Sequence, residues 1–219
     1  MIATNLKTAV FVDLSPDDVV SKGLDFLSAN SLRHIVIVDS DTNFIALLDE
    51  EVLLGADDMD KLSSLSEHYS FQHCLPTDHV FDVISKMASG KLTLLPIVEE
   101  GRYLGSILME ELFHHLASIY SLNQPGSTFI IEMAKNEYSL ATIARIVESE
   151  GATILSCAIS GSDDTSLINV SIKTNSLEVG RLQATLERYN YNVMATYNDE
   201  GLYYVLKERY ESLMHYLGV

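Results

Sequence analysis

Apolar and polar positions repeat along the first half of the chain at an offset of about 60 residues, which is the sign of a duplicated unit. Residues 16–39 and residues 76–99 carry apolar residues at matching places, begin with proline and end with an acidic residue. Two copies are too few for a solenoid. The pattern therefore predicts a paired, pseudo-symmetric module with a cleft between its copies.

Each copy is predicted to contain, in order, a strand, a helix, two strands and a second helix. Ser15 as the N-cap and Pro16 in the first turn predict where the first helix begins. The remaining predictions in the first copy are a strand at Val10 to Val12, a helical face with Val20, Leu24 and Leu27, strands at Ile35 to Val38 and Phe44 to Leu48, and a helix from Asp49. The second copy closes with a strand at Arg102 to Leu108 and a helix from Met109 to Leu122.

The second half follows a different order, strand–helix–strand–strand–helix–strand, which is the ferredoxin-like split motif. Its predicted strands are Thr128 to Met133, Thr153 to Ser160, Leu167 to Lys173 and Asn192 to Tyr197, and its predicted helices carry Leu140, Ile143 and Val147, then Leu182 and Leu186. A further strand is predicted at Leu202 to Leu206, followed by an amphipathic helix at Glu208 to Leu217. Pro125 and Gly126 stop the preceding helix. The predicted domains are therefore 1–62 and 63–122, a linker at 123–127, and 128–219.

Charge and cysteine content narrow the function classes. The net charge is −17, with 19 acidic and 7 basic residues in positions 1–122, and such a field repels nucleic-acid backbones. There is no run of 18 apolar residues and no apolar leader, so we expect no membrane span and a cytoplasmic location. Cys74 and Cys157 fit no metal or redox spacing and are expected to be reduced and buried.

Short motifs in the two copies resemble CBS domains. The stretch from Leu32 to Asp39 is similar to that family's apolar-Arg-His strand signature, the stretch from Leu95 to Glu99 repeats it with a proline, and the stretch from Tyr103 to Ile107 resembles the glycine-bearing strand that follows. Residues 140–155 and the element order resemble an ACT domain. The fold class implied is α/β, a tandem CBS pair followed by a ferredoxin-like βαββαβ ACT-like domain, an order similar to that of acetoin-utilisation AcuB-like regulatory proteins.

The CBS resemblance implies a homodimer with a small-molecule ligand, an adenosine nucleotide or S-adenosylmethionine, bound between the copies. The ligand-binding residues that it implies are Arg33, His34, Asp49, Gly105 and Glu111. Arg33 and His34 correspond to positions that meet a ligand phosphate. The alternative is an ordinary strand start with Arg33 on the surface.

Two departures from the family patterns keep a second function open. The Thr/Ser-x-x-Asp pair that contacts ribose corresponds to Asp49 with Val52 in the first copy and to Leu108 with Glu111 in the second. In the ACT-like half, Tyr138 replaces the glycine of the usual amino-acid-binding turn, so we expect no amino acid to bind there.

The sequence thus predicts a non-catalytic regulatory module that binds an adenosine-type nucleotide in the CBS cleft and signals through dimer rearrangement. The alternative is a structural or interaction protein with degenerate CBS and ACT ligand sites. No metal site is expected, because the His, Glu and Asp clusters at 57–60, 68–79 and 110–115 lack the spacing of metal ligands. The sequence also contains no catalytic motif. We expect no resident cofactor and no nucleic-acid partner.

Overall fold

A computed structural model describes residues 1–7, 14–162 and 166–198. The chain forms two compact units, Met1–Leu116 and Ala117–Val219. The predicted strand at Val10 to Val12, the strand at Leu202 to Leu206 and the helix at Glu208 to Leu217 lie outside the described residues. The four predicted domain ranges stay predictions.

The first unit contains two copies of a helix–strand–strand–helix order, which matches the prediction except for the leading strand. Before the second copy's first helix there are only single bridges at Ser70 and Cys74, because these residues pair with β2 and β3 one at a time. The elements are α1 (Val20–Asn30), β1 (His34–Val38), β2 (Phe44–Asp49), α2 (Glu50–Leu54), α3 (Val80–Gly90), β3 (Leu94–Glu99), β4 (Arg102–Leu108) and α4 (Met109–Ile119). In each copy the two strands pair antiparallel, β1 with β2 and β3 with β4. The predicted tandem arrangement of two similar α/β copies is confirmed.

The duplication extends to individual backbone groups. Helices α1 and α3 both end in a left-handed residue, Ser31 and Lys91. The carbonyl of Arg33 accepts from the amide of Glu50 at 2.8 Å, and the carbonyl of Thr93 accepts from the amide of Met109 at 2.9 Å. Arg33 and Thr93 therefore occupy equivalent positions in the two copies.

The short segments that precede the copies are exchanged between them. The amides of Ala3 and Thr4 donate to the carbonyls of Asp78 and Pro76, at 2.8 and 3.1 Å. In the same way, residues 62 and 63 donate from their amides to the carbonyls of residues 18 and 16, at 2.8 and 2.9 Å. In each copy, the segment directly before the first helix is therefore hydrogen-bonded by residues that precede the other copy.

This exchange overturns the predicted start of the first helix. The helix begins at Val20, not at Ser15, and its N-cap is Val19 in an extended conformation. The carbonyls of Pro16 and Asp18 accept from the amides of residues 63 and 62, and Val19 forms a bridge with Lys61, so these carbonyls are not available for the bonds of a helix. The sequence pattern indicates helix caps from neighbouring residues only, whereas this pairing joins residues more than 40 positions apart.

One hydrophobic core joins the two copies of the first unit. The fully buried side chains include Leu6, Ile35, Leu47, Leu62 and Leu94. Cys74 lies in this core, where burial raises the pKa of its thiol to about 12, and it is an unpaired cysteine as expected. The thiolate is therefore suppressed, which makes Cys74 a packing residue.

The second unit has the predicted ferredoxin-like topology. Its elements are β5 (Ser127–Ala134), α5 (Leu140–Ser149), β6 (Ile154–Gly161), β7 (Leu167–Thr174), α6 (Val179–Arg188) and β8 (Asn192–Asn198). The strand order is β6-β7-β5-β8, with every neighbouring pair antiparallel. Buried and half-buried positions alternate along β7, so one face of this strand is turned to the core. The buried side of the sheet packs with residues of both helices around Phe129.

Tyr138 stands at the turn where the ACT resemblance places a glycine. Its ring packs against the core of the second unit, and burial raises the pKa of its hydroxyl, with Cys157 beside it as a further cause. The absence of amino-acid binding at this turn stays a prediction.

Candidate functional site

Three of the five predicted site residues lie together at one end of the β1–β2 pair. His34 begins β1 and stands opposite Asp49, the last residue of β2. Arg33 directly precedes His34, and Asp49 is the N-cap of α2. The antiparallel pairing therefore brings the predicted anion-binding and ribose-binding positions to one place.

His34 connects the two copies through hydrogen bonds. Its Nδ1 accepts from the amide of Thr93 at 3.3 Å and lies 3.1 Å from the Thr93 Oγ1. An amide can only donate, so the neutral ring carries its proton on Nε2, which lies 3.2 Å from Asp49 Oδ2. The Thr93 hydroxyl also accepts from the Arg33 amide at 3.1 Å. One buried imidazole thus joins a carboxylate of the first copy to the backbone of the second.

His34 is uncharged near neutral pH. Its side chain is only 7% exposed. Burial lowers its pKa below the usual 6.5, and the Arg33 charge acts in the same direction, while Asp49 opposes both. The sequence assigned His34 to a ligand phosphate, but a neutral imidazole with both nitrogens in use offers little to an anion.

We expect the folded chain to lose stability as the pH falls below about 6.5. The unfolded chain takes up a proton on His34 near that pH, whereas the lowered pKa keeps the folded chain neutral there. The contribution of His34 is therefore fully present above pH 6.5 and is lost as the pH falls through its folded pKa. Urea melts of wild type and His34→Gln between about pH 5 and 7.5 measure this, and the variant should show the smaller decline.

Four carboxylates with lowered pKa values act in a separate pH window, near and below their ordinary 3.8 or 4.5: Asp18, Asp39, Asp78 and Glu150. They do not obscure the comparison. An equal decline in wild type and variant would remove His34 as the cause.

The guanidinium of Arg33 forms ion pairs with carboxylates of α2. Its Nη2 lies 3.0 Å from Glu51 and its Nε 3.9 Å from Glu50. About half of the Arg33 side chain is exposed, so each contact is a weak surface pair. Including Asp49, the place where the sequence predicted an anion contains one positive and three negative side chains.

The first amides of α2 are also in use. The Glu50 amide donates to the Arg33 carbonyl at 2.8 Å, and the Glu51 amide donates to Asp49 Oδ1 at 2.7 Å. Asp49 is therefore a helix cap as well as the partner of His34. A carboxylate cap of this kind neutralises the positive end of the helix.

A cleft of about 530 Å³ adjoins this cluster, a volume in the range of small-molecule sites. It shares Glu51 with the cluster and has an apolar part that includes Val52, Ala56 and Leu65. Asp60 and His68 complete the polar part, with Gly55 at the end of α2. The cleft offers apolar surface for a flat ring beside a polar, acidic rim.

The other two predicted site residues belong to the second copy. Gly105 lies in β4 opposite Ile97, with φ at 141°. Glu111 lies on α4, in the place that Val52 has on α2. Among the described residues, neither makes a hydrogen bond or ion pair with Arg33, His34 or Asp49. All five assignments to a ligand stay predictions.

The sequence interpretation missed Thr93. The repeat aligns it with Arg33, but the two side chains share no chemistry, so the alignment gave no sign that Thr93 contacts the first copy. One feature of the sequence could have identified Thr93. It directly precedes a strand, as does Arg33, the equivalent residue of the first copy, which was already a candidate.

The parts of the chain that the structure describes contain no group of three or more His, Cys, Asp or Glu side chains that can hold a metal ion. Across the same residues, no helix combines the length and the apolar character that crossing a bilayer requires.

Comparison with known proteins gives a family match and several similar folds. Residues 68–118 match the CBS domain family. The structure is similar over 56% of the chain to a putative acetoin utilization protein, AcuB, from Vibrio cholerae, at 17% identity and a TM-score of 0.50, covering 95% of that chain. A CBS domain pair/ACT domain protein from Thermotoga maritima is 17% identical over 54% of this chain and 98% of that one, with a TM-score of 0.48.

A third solved structure, CBSX2 in complex with AMP, is 13% identical over 54% of this chain and 97% of that chain, with a TM-score of 0.47. No curated protein matches the chain in sequence.

Proposed function

From the CBS domain at residues 68–118 and the copy of its topology that precedes it, we propose that this tandem CBS-domain protein is a non-catalytic regulatory module that senses an adenosine-type small molecule. The ligand occupies the cleft beside α2, and binding is signalled through rearrangement of a homodimer in the cytoplasm. The second unit acts as an ACT-like domain.

The observation that carries this proposal is the hydrogen-bonded contact of His34 with Thr93 and Asp49. Asp49 caps α2, and α2 lines the cleft, so a ligand that shifts the start of α2 also acts on the contact between copies. A regulatory module needs such a coupling, in which a ligand favours one of two arrangements. An enzyme instead needs a nucleophile or base beside the ligand, and the buried neutral His34 is already bonded on both sides.

An apolar groove supports the homodimer. It lies between α3 and α4, encloses about 400 Å³, and includes the exposed side chains of Met109 and Phe113. Groups of exposed apolar side chains of this kind mark interaction surfaces. The groove is lined by apolar side chains and by Lys91, so in a protein of large negative charge two copies approach there with less repulsion than at an acidic surface.

The proposal is tested by thermal melting of the full chain with ATP, ADP, AMP, adenosine, S-adenosylmethionine and the standard amino acids. A ligand at about 100 times its dissociation constant adds about 2.7 kcal/mol to the free energy of unfolding, which moves the melting temperature by several degrees. We expect at least one adenosine compound to do so and no amino acid. Light scattering of the same samples should give twice the 24.3 kDa chain mass.

Ala56→Phe, which places a ring in the cleft, should abolish the shift. A panel in which no adenosine compound changes the melting temperature supports the alternative, an interaction protein with degenerate sites. The apolar Val52 at the ribose-binding position and the engagement of Asp49 with His34 favour that second candidate.

A further inference from the structure

We infer that a cavity beside α3 binds a small organic anion, a carboxylate attached to an aromatic or branched apolar group. The cavity encloses about 550 Å³, a volume in the range of small-molecule sites, and it lies within the second copy. Its lining residues are Phe71, Gln72, His73, Leu75, Lys86 and Ser89. It shares none of them with the cleft beside α2, so the inference is independent of the proposed function.

One part of the cavity is apolar surface that the core does not use. Phe71 and Leu75 are 66% and 48% exposed, although both side chains are large and apolar. The backbone between them is fixed, because the amide of Cys74 donates to the Pro96 carbonyl and its carbonyl accepts from the Val98 amide, both at 2.9 Å. A ring or a branched group laid against Phe71 and Leu75 therefore removes apolar surface of both partners from water.

The polar part of the cavity is positive. Lys86 has a half-exposed side chain and three N–H donors, of which Asp78 Oδ2 accepts one at 2.7 Å. The ring of His73 is held by the Phe71 carbonyl, which accepts from its Nδ1 at 2.8 Å, so Nε2 is the second polar atom of the ring. Among the described residues that line this cavity, none is acidic.

The same positive groups already stabilise an anion. The hydrogen bond from Lys86 lowers the pKa of the Asp78 carboxyl, and the charges of Lys86 and His73 act in the same direction, while burial opposes them. The local field therefore favours negative charge, although the chain carries a net charge of −17. The cleft beside α2 is the opposite case, because Glu51 and Asp60 line it.

The first copy lacks this combination of residues. At the offset of 60 positions, Lys86 corresponds to Phe26 and His73 corresponds to Asp13. The fold that the two copies share therefore does not require the positive groups, and the sequence of the second copy alone supplies them. We expect one such ligand per chain.

The test is a titration of the full chain, followed through amide chemical shifts in nitrogen–proton NMR spectra. The probes are phenylacetate, which has both the ring and the charge, phenylethanol, which lacks the charge, and acetate, which lacks the ring. We expect phenylacetate to cause saturable shifts at residues 71–75 and 86–89, with an affinity at least about tenfold higher than that of either other probe. Isovalerate, a branched carboxylate, should act on the same residues.

Two variants and a matched control assign the site. Phe71→Ala should weaken phenylacetate binding by about fivefold or more, because the ligand ring loses its aromatic partner. Lys86→Gln should weaken phenylacetate by about 2- to 5-fold, the scale of a half-exposed ion pair, and should leave phenylethanol unchanged. The control is Phe81→Ala, because Phe81 lies on α3, is 56% exposed and does not line the cavity. It should leave the affinity for phenylacetate unchanged.

Equal affinities for phenylacetate and phenylethanol would overturn the inference, because the positive groups would then have no role. Equal losses in Phe71→Ala and Phe81→Ala would also overturn it, as would the absence of saturable shifts at residues 71–75 and 86–89 with both aromatic and branched carboxylates. AMP is titrated as a further probe, and tighter binding of AMP than of phenylacetate at these residues would make the cavity a nucleotide site instead. None of these outcomes decides whether an adenosine compound binds in the cleft beside α2.

Discussion

Phe129→Ala should destabilise the second unit by about 3–5 kcal/mol, which is the cost of deleting a fully buried aromatic side chain. Phe129 is 0% exposed and lies in β5, the strand between β7 and β8. It belongs to the same buried hydrophobic cluster as Ile143 and Val147 of α5 and Leu182 of α6. The alanine leaves a cavity where the sheet and both helices meet, so the loss reaches the whole unit.

Denaturant unfolding followed by circular dichroism measures this effect. The midpoint should fall while the dependence on denaturant stays the same, since the surface exposed by unfolding is unchanged. Phe71→Ala is the matched control, because Phe71 is 66% exposed, and it should change the free energy of unfolding by no more than about 0.5 kcal/mol. Similar midpoints for the two variants would contradict the assignment of this core.

Gly126→Ala should lower the melting temperature, with a cost of about 1–3 kcal/mol or more. A β-carbon at residue 126 meets the backbone carbonyl of Thr174, which cannot rotate away as a side chain can. The next residue, Ser127, begins β5 and bonds the Thr174 hydroxyl at 3.0 Å. The added methyl group therefore separates β5 from β7 at the point where their pairing begins.

Gly180→Ala provides the opposite case in the same unit. A β-carbon there meets nothing within 4 Å, and Gly180 lies inside α6. Alanine favours a helix over glycine by about 0.5–1 kcal/mol, so this variant should melt at a higher temperature than wild type. If both glycine variants moved the melting temperature in the same direction, the close approach of Gly126 to Thr174 would be wrong.

Strand positions were predictable because the apolar run that indicates a strand lies within that strand's own residues. β4 runs from Arg102 to Leu108 as predicted, and β1 differs from its prediction by one residue, His34. The apolar runs are short, are bounded by turn residues, and recur in the second copy. Topology followed from the element order, since the βαββαβ sequence admits few right-handed packings.

The chemistry of the candidate site was less predictable. From the sequence, Arg33 was interpreted as a hydrogen-bond donor available to an anion, and Glu50 and Glu51 as the acidic first turn of a helix. In the structure these two carboxylates are the contacts of Arg33. A strand pairing 15 residues apart, His34 with Asp49, is what joins these two local patterns. Sequence reasoning supplied the residues but not which of them neutralise one another.

The exchanged lead-in segments lead us to expect that the two copies of the first unit fold together as one cooperative unit. The amides of residues 3 and 4 donate to carbonyls of residues 78 and 76, and the Thr4 hydroxyl reaches its partner across 72 positions. The second copy therefore depends on residues that precede the first copy, and the first copy depends on residues 62 and 63, which precede the second. Contacts of such long sequence separation slow folding, because the loop must close before the contacts are gained. Because the two copies share these hydrogen bonds and one core, we expect neither copy to fold stably when it is expressed alone.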